Sequence, residues 1–408
     1  MQTVSKFRRG IIAAACALGL LVVVGTVRPQ SPQNVAITAS PRAREVEPNR
    51  GAAALWQTLL KLHTRASLIM IDAHPDDEDG GMMAYESRGQ GARVALLTLN
   101  RGEAGQNLMN SDYWEALGLV RTQELLAADQ YYGANQYFTR VIDFGFSKSK
   151  EETLQEWTHE RTLGDVVRVI RTVRPLVITS VFVGGPSDGH GNHQVSGETA
   201  QEAFNEAGDP NKFPEQIREG LRPWTPLKDF ARVPTFAIRG NEIWDYANGH
   251  TYPLHFYNYI SGQWIEGQLS TNVVIPEGDY DPLLAGSFAQ IARQGLGFQK
   301  TQNGGVNPPA PGPDDSDYHL LGSRVSATAH EDSLFSGINV SLGGIAELAR
   351  GQNDSFLKEG LEKLSASVGQ AMKQFDARHP EAIAPVLAEG AKANLALISQ
   401  VESSSISP

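Results

Sequence analysis

The sequence predicts an α/β fold: a three-layer sandwich whose mostly parallel sheet lies between helices, followed by a small helical module. Three observations carry this. Short apolar runs that suit buried strands, Leu68 to Ile71, Arg93 to Leu99 and Leu176 to Val183, alternate with longer stretches of helical period. The alternation repeats, which calls for parallel pairing through right-handed crossovers. Polar and glycine-bearing loops with chemical potential follow the strands, at their carboxyl ends, where open α/β sheets place their sites. The architecture is therefore Rossmann-like. No GxGxxG follows the first strand, so the likeness does not extend to nucleotide binding.

Taken in order, the chain opens with Lys6, Arg8 and Arg9 ahead of an apolar run from Ile11 to Val27. A basic start followed by an apolar stretch directs export, so residues 1–27 read as a signal peptide or an uncleaved N-terminal membrane anchor. The protein is expected to be periplasmic, extracellular or membrane-anchored. Cys16, the sole cysteine, lies inside the run, which argues against lipidation after cleavage and leaves the chain without an internal disulfide. Residues 28–50 form a polar linker. A helical face with Leu55, Leu59, Leu60 and Leu62 precedes the first strand, and a packed helix over Gly80 to Arg88 follows it.

The second strand ends in NRGEAGQN, Asn100 to Asn107, where Arg101, Glu103 and Asn107 are candidates for substrate contact. A helix is expected over Asp112 to Tyr132, a short strand at Tyr137 to Val141, and a helix over Leu163 to Val173 that stops before Arg174-Pro175. A further helix begins at His193. Residues 210–234 are broken by proline and carry no assignment. Asn241 to Tyr259, with Trp244, Tyr246, His250, Tyr252, His255 and Phe256, suits a β-rich cap or a sugar-facing wall. A long helix is expected over Asp281 to Lys300, the catalytic domain spans 51–302, residues 303–317 are a Pro- and Gly-rich linker, and 318–408 make the mainly helical module.

At 408 residues and 41% hydrophobic content the chain can bury a large core, and a net charge of −11 with no basic run beyond the amino terminus excludes a general nucleic-acid binder. Chemistry concentrates in Ala73 to Glu78, AHPDDE, and in Gly189 to Gln194, GHGNHQ. His74 and Asp77 can turn toward one divalent metal, His193 can complete a face of two histidines and one carboxylate, and Asp76 is left free beside them. Four acids beside one histidine at the end of a buried strand repel one another unless a cation is present. No GxSxG occurs, which argues against a covalent acyl-enzyme.

These motifs, AHPDDE, then NRGEAGQN, then GHGNHQ in that order, resemble the LmbE-like, or PIG-L-type, metal-dependent deacetylases over about Ala66 to Gly208. The resemblance implies that His74, Asp77 and His193 bind the metal, with zinc expected and Fe2+ as an alternative. It further implies that Asp76 is the general base and that His190 stabilises the oxyanion or protonates the leaving amine. The implied substrate is a small molecule or glycan bearing an N-acyl group. Asn192 stands where family members often carry an acid. A phosphoester hydrolase and a non-catalytic carbohydrate-binding protein on the same fold are the competing readings. Oligomeric state is not encoded in any of these features.

Overall fold

The computed structural model describes residues 49–349 and 355–403. The export segment, and all but the end of the linker expected after it, lie outside the described residues. The central sheet has seven strands. Five are parallel: β1 (Ser67–Asp72), β2 (Arg93–Thr98), β3 (Ala134–Phe138), β4 (Val177–Ser180) and β5 (Lys228–Arg232), arranged β5-β4-β1-β2-β3. Strands Ser316–Ser323 and Val273–Ile275 continue the sheet beyond β5 in antiparallel sense. The chain adds β2 and β3 on one side of β1, then crosses to build β4 and β5 on the other. That reversal opens a crevice at the carboxyl ends of β1 and β4.

Strand β1 explains why two layers of helix are needed. Its residues are all buried, and alternate side chains enter opposite cores. Leu68 and Met70 pack on Met82, Met83, Leu125 and Tyr132, from α2 (Gly80–Ala84) and α3 (Glu115–Tyr132). Ile69 and Ile71 pack on Val166, Val167, Ile170, Val195 and Phe204. Those come from α5 (His159–Val173) and α6 (Gly191–Glu206), with α4 (Lys150–Trp157) adding Trp157. Ahead of the sheet, α1 (Gly51–His63) is tied down by Arg88, which is 2% exposed and donates to Gln57, Asn49 and the carbonyls of Gln130 and Tyr131.

Several boundaries differ from the sequence reading for physical reasons. The strand expected at Tyr137 to Val141 runs from Ala134 to Phe138, because Gly133 in the left-handed conformation ends α3 and reverses the chain directly into it. The helix expected from Asp112 starts at Glu115. The one expected over Asp281 to Lys300 is confined to Phe288–Leu296, behind a small hairpin of Tyr280–Asp281 and Gly286–Ser287. Ser287 and Gln290 set its start by exchanging side-chain bonds with each other's backbone N–H. The unassigned stretch holds β5, and Ser316–Ser323, divided in the sequence reading between linker and helical module, is a strand of the main sheet. Beyond it, helices Ser355–Gln374 and Ala384–Ser403 are present as the pattern predicts; Ala371 and Ile383 close over Leu59 of α1.

Candidate metal centre

The loop after β1 is built by its own acids. Asp77 Oδ2 accepts from the His74 backbone N–H at 2.8 Å and lies 3.0 Å from His74 Nδ1, so the short Pro75-Asp76 link bulges outward. Asp76 sits at its apex with φ 92, a strained conformation for a residue with a side chain. Glu78 holds the loop from behind: Oε2 accepts from Asp76 N–H at 2.8 Å, and Oε1 accepts from the Tyr132 hydroxyl and the Gln299 amide. Asp79 caps α2 and accepts from the Tyr318 hydroxyl. Of the four acids, two are thus structural.

The second half comes from the turn between β4 and α6. Buried Asp188 accepts from the backbone N–H groups of Val183, Gly184 and Gly185. Its own carbonyl then faces His193 Nδ1 at 3.1 Å. A carbonyl can only accept, so Nδ1 carries the proton and the Nε2 lone pair points inward. Phe182 stacks flat on the ring, 4.2 Å away. His193 Nε2 is 3.2 Å from His74 Nδ1 and 3.4 Å from Asp77 Oδ1. Ligand atoms of His74, Asp77 and His193 all lie within 4.8 Å of one another, so the three residues read as ligands converge on one point. Two imidazole nitrogens and one carboxylate are a donor set that suits zinc and leaves room for a water.

His190 caps α6, and its ring lies 4.9 Å from that of His193 and 5.1 Å from that of His74, with the edge of Phe146 against it. Its Nδ1 accepts from the Asn192 backbone N–H at 3.1 Å. This leaves Nε2 as the protonated nitrogen of a neutral ring. Burial, then the neighbouring charges of His74 and His193, lower its pKa to about 3, so the ring resists becoming a cation.

The other groups share one electrostatic field. Burial works against the charge on Asp77, but His193 and His74 more than offset it and bring the carboxyl down to about 2. For His74, burial opposes the cation, and the Asp77 hydrogen bond together with the charges of Asp77, Asp143 and Asp76 outweighs it, raising the pKa. His193 is lowered, by burial first. Asp76 is pushed up to about 8, by desolvation and by repulsion from Asp77 and Glu78. A cation between the three ligands would relieve that repulsion.

Sequence reasoning passed over Asp143, just beyond the carboxyl end of β3. Its Oδ1 lies 4.0 Å from His74 Nε2, and the Asn192 amide nitrogen lies 3.2 Å from the same atom. The side chain of Asn192 therefore lies against His74, not His190, and Thr153 anchors it by donating to Oδ1 at 2.8 Å. The acid absent at 192 is matched by one from another segment of the chain. The clue was available, since an acid just past a strand's carboxyl end is a site candidate.

The three residues expected at the substrate make contacts with neighbouring parts of the chain. Arg101 lies over the Phe138 ring, 4.0 Å from its centroid. Glu103 accepts from the backbone of Arg101 and Asp143. Asn107 closes a local turn with Asn110 and Asp112. Among the described residues, none of the three bonds to His74, Asp77 or His193.

Residues 69–204, a third of the chain, match the family described as PIG-L, GlcNAc-PI de-N-acetylase. A mycothiol S-conjugate amidase of Streptomyces coelicolor is 27% identical over 295 residues, which is 66% of this chain and 97% of that protein. A 1D-myo-inositol 2-acetamido-2-deoxy-alpha-D-glucopyranoside deacetylase of Frankia alni is 30% identical over 176 residues, 39% of this chain and 59% of that one. The chain thus spans nearly all of the amidase and rather more than half of the inositol deacetylase. Among solved structures, an N,N'-diacetylchitobiose deacetylase from Pyrococcus horikoshii aligns with a TM-score of 0.35 at 20% identity, over 41% of this chain and 60% of that one.

Proposed function

We propose, on the premise that this chain belongs to the PIG-L (LmbE-like) family through its domain at residues 69–204, that it is a metal-dependent hydrolase removing an N-acetyl or similar N-acyl group from an amino sugar or related amine. The observation that carries the reading is the convergence of His74, Asp77 and His193 with Asp76 and His190 left uncommitted around them. Zinc held by those three would activate a water and polarise the acyl carbonyl.

The chain's own groups then divide the proton work. Asp76 protrudes from the loop apex beside the ligands, where its carboxylate can take the proton from the attacking water. His190 is a neutral donor: with Nδ1 occupied by the Asn192 N–H, only Nε2–H can face the oxyanion, and it steadies that charge without giving up its proton. The leaving amine therefore receives its proton from Asp76. On this reading Asp76 is both base and acid, whereas the sequence left His190 as a candidate acid as well. His74 and Asp77 are held by each other, and His193 by Asp188, so the ligands are fixed before any metal arrives. Export by the N-terminal segment would place the activity on envelope or extracellular glycans.

Release of primary amine from a panel of N-acetylated amino sugars tests this, run with zinc, with chelator, and with zinc restored. Expected are about one zinc per chain and amine release that chelation abolishes and zinc restores. A phosphatase signal in the same preparation, with no amine released, would shift the reading to phosphoesters.

A further inference from the structure

A cavity of about 550 Å³ lies at the opposite end of the sheet. Ser67, Arg93, Asn135 and Leu176 line it, so it runs along the amino ends of β1, β2, β3 and β4, a full strand length from the metal centre. Lys61, Arg65, Arg93 and Arg174 bring four basic side chains to it, and no acid among the described residues lines it. That concentration of one sign occurs in a chain of net charge −11.

The four are not equally engaged. Arg65 donates to the Asn339 carbonyl and pairs with Glu347 at 3.1 Å, and Arg93 donates to the Val173 carbonyl at 3.1 Å. Lys61 and Arg174 have no side-chain acceptor among the described residues. Burial and the charge of Arg88 lower the Lys61 pKa, and the residue is exposed, so an incoming anion can reach its ammonium. Arg174 follows α5 in the left-handed region, φ 55, a conformation that favours glycine. Trp224 is fixed by donating its indole N–H to the Pro175 carbonyl, and Leu342, Ile345 and Leu348 complete an apolar wall.

We propose that this cavity binds a phosphate group carried on an apolar moiety. A phosphate monoester can accept from several donors at once, and the guanidinium fork matches its oxygens. Carbonyl-bound Arg93 keeps further N–H groups for it. The indole and aliphatic wall receive the apolar part. The phosphate can arrive on a lipid headgroup in a membrane or on a free organic phosphate, and the two sources share this recognition chemistry. The site is independent of the hydrolytic reading.

Calorimetry of the full chain against inorganic phosphate and hexyl phosphate, with sedimentation on phosphatidylcholine vesicles containing phosphatidic acid, separates the sources. The proposal expects saturable binding of hexyl phosphate, of the vesicles, or of both, in preference to inorganic phosphate. Affinity should fall about tenfold or more in Lys61→Gln/Arg174→Gly, since each lost charge-assisted bond is worth that order. Glycine suits φ 55, so Arg174→Gly alone keeps the fold, which a thermal melt verifies, and its own loss of affinity stands if the double variant misfolds. Binding of soluble hexyl phosphate alone assigns a free ligand; binding of vesicles alone assigns a headgroup. Absence of saturation with every probe, equal affinity for inorganic and hexyl phosphate, or affinity unchanged in the variants would overturn it.

Discussion

The two ends of the sheet were built from opposite charges and by opposite means. At the carboxyl ends of β1 and β4, acids and histidines are held by one another: Asp77 by His74, His193 by the Asp188 carbonyl, Glu78 by Tyr132 and Gln299. At the amino ends, four basic side chains arrive from three segments, Lys61 and Arg65 sharing one, and two of the four have no side-chain acceptor among the described residues. A self-braced cluster keeps its shape empty or loaded and is suited to chemistry that needs fixed distances. A cluster of like charges in which only two of four, Arg65 and Arg93, are braced is suited to capturing a counter-charged ligand.

The comparison breaks first at the metal centre if the bracing is not what matters there. His193→Ala removes a ligand and should lower both metal content and turnover, the latter by about 10³-fold or more. Asp76→Asn should keep the metal while turnover falls by about 10² to 10⁴-fold. Because the base works only when ionised, wild-type kcat/KM should fall as pH drops through the Asp76 pKa, and residual activity of the Asn variant should lack that limb. A bound cation moves the limb below the value of about 8 that Asp76 has without one. Equal metal loss in the two variants, read by elemental analysis, would show that Asp76 is a ligand and the assignment of roles mistaken.

His190 sharpens the same contrast at smaller cost. His190→Ala should reduce turnover by about 10² to 10³-fold with metal retained, as expected for one lost oxyanion donor. As the ring donates without ionising, His190→Gln, whose amide can also donate, should recover part of the loss, and the pH profile should keep its alkaline side unchanged. A shifted alkaline limb in either variant would mean that His190 does transfer a proton.

How far all this could be read from the sequence follows the same division. Strand β1 is buried throughout and stops at a histidine and four acids, so local pattern alone located the loop and separated Asp76 from Asp77. His193 was legible because it follows a second apolar run. Strand β5, by contrast, begins with Lys228 and Asp229, which read as surface. Both are fully buried, Lys228 because Glu331, a hundred residues later, meets it at 2.6 Å. Strand Ser316–Ser323 was hidden by the proline-rich segment ahead of it. The basic cavity left no local trace, since each of its cations looks like an ordinary solvated end of a helix or strand. Tertiary pairing decided these cases, and no window of sequence contains it.

Between the two ends lies an acid that neither charge cluster serves. Glu86 follows α2 on the way from the metal loop to β2, is 1% exposed, and has one carboxyl oxygen without a hydrogen-bond partner. Burial alone pushes its pKa up to about 8. With the folded value raised, the folded chain keeps the proton while the unfolded chain gives it up. The group therefore costs nothing below the ordinary carboxyl pKa, and stability is lost progressively as pH rises from there to about 8. Glu86→Gln fills the same volume and cannot ionise. At pH 9 the variant should be the more stable by about 5 kcal/mol, and at pH 4 the two should nearly coincide. Urea unfolding at the two pH values measures this. A constant gap between variant and wild type across that range would mean that Glu86 is charged in the folded protein and has found a partner, joining it to one of the two ends after all.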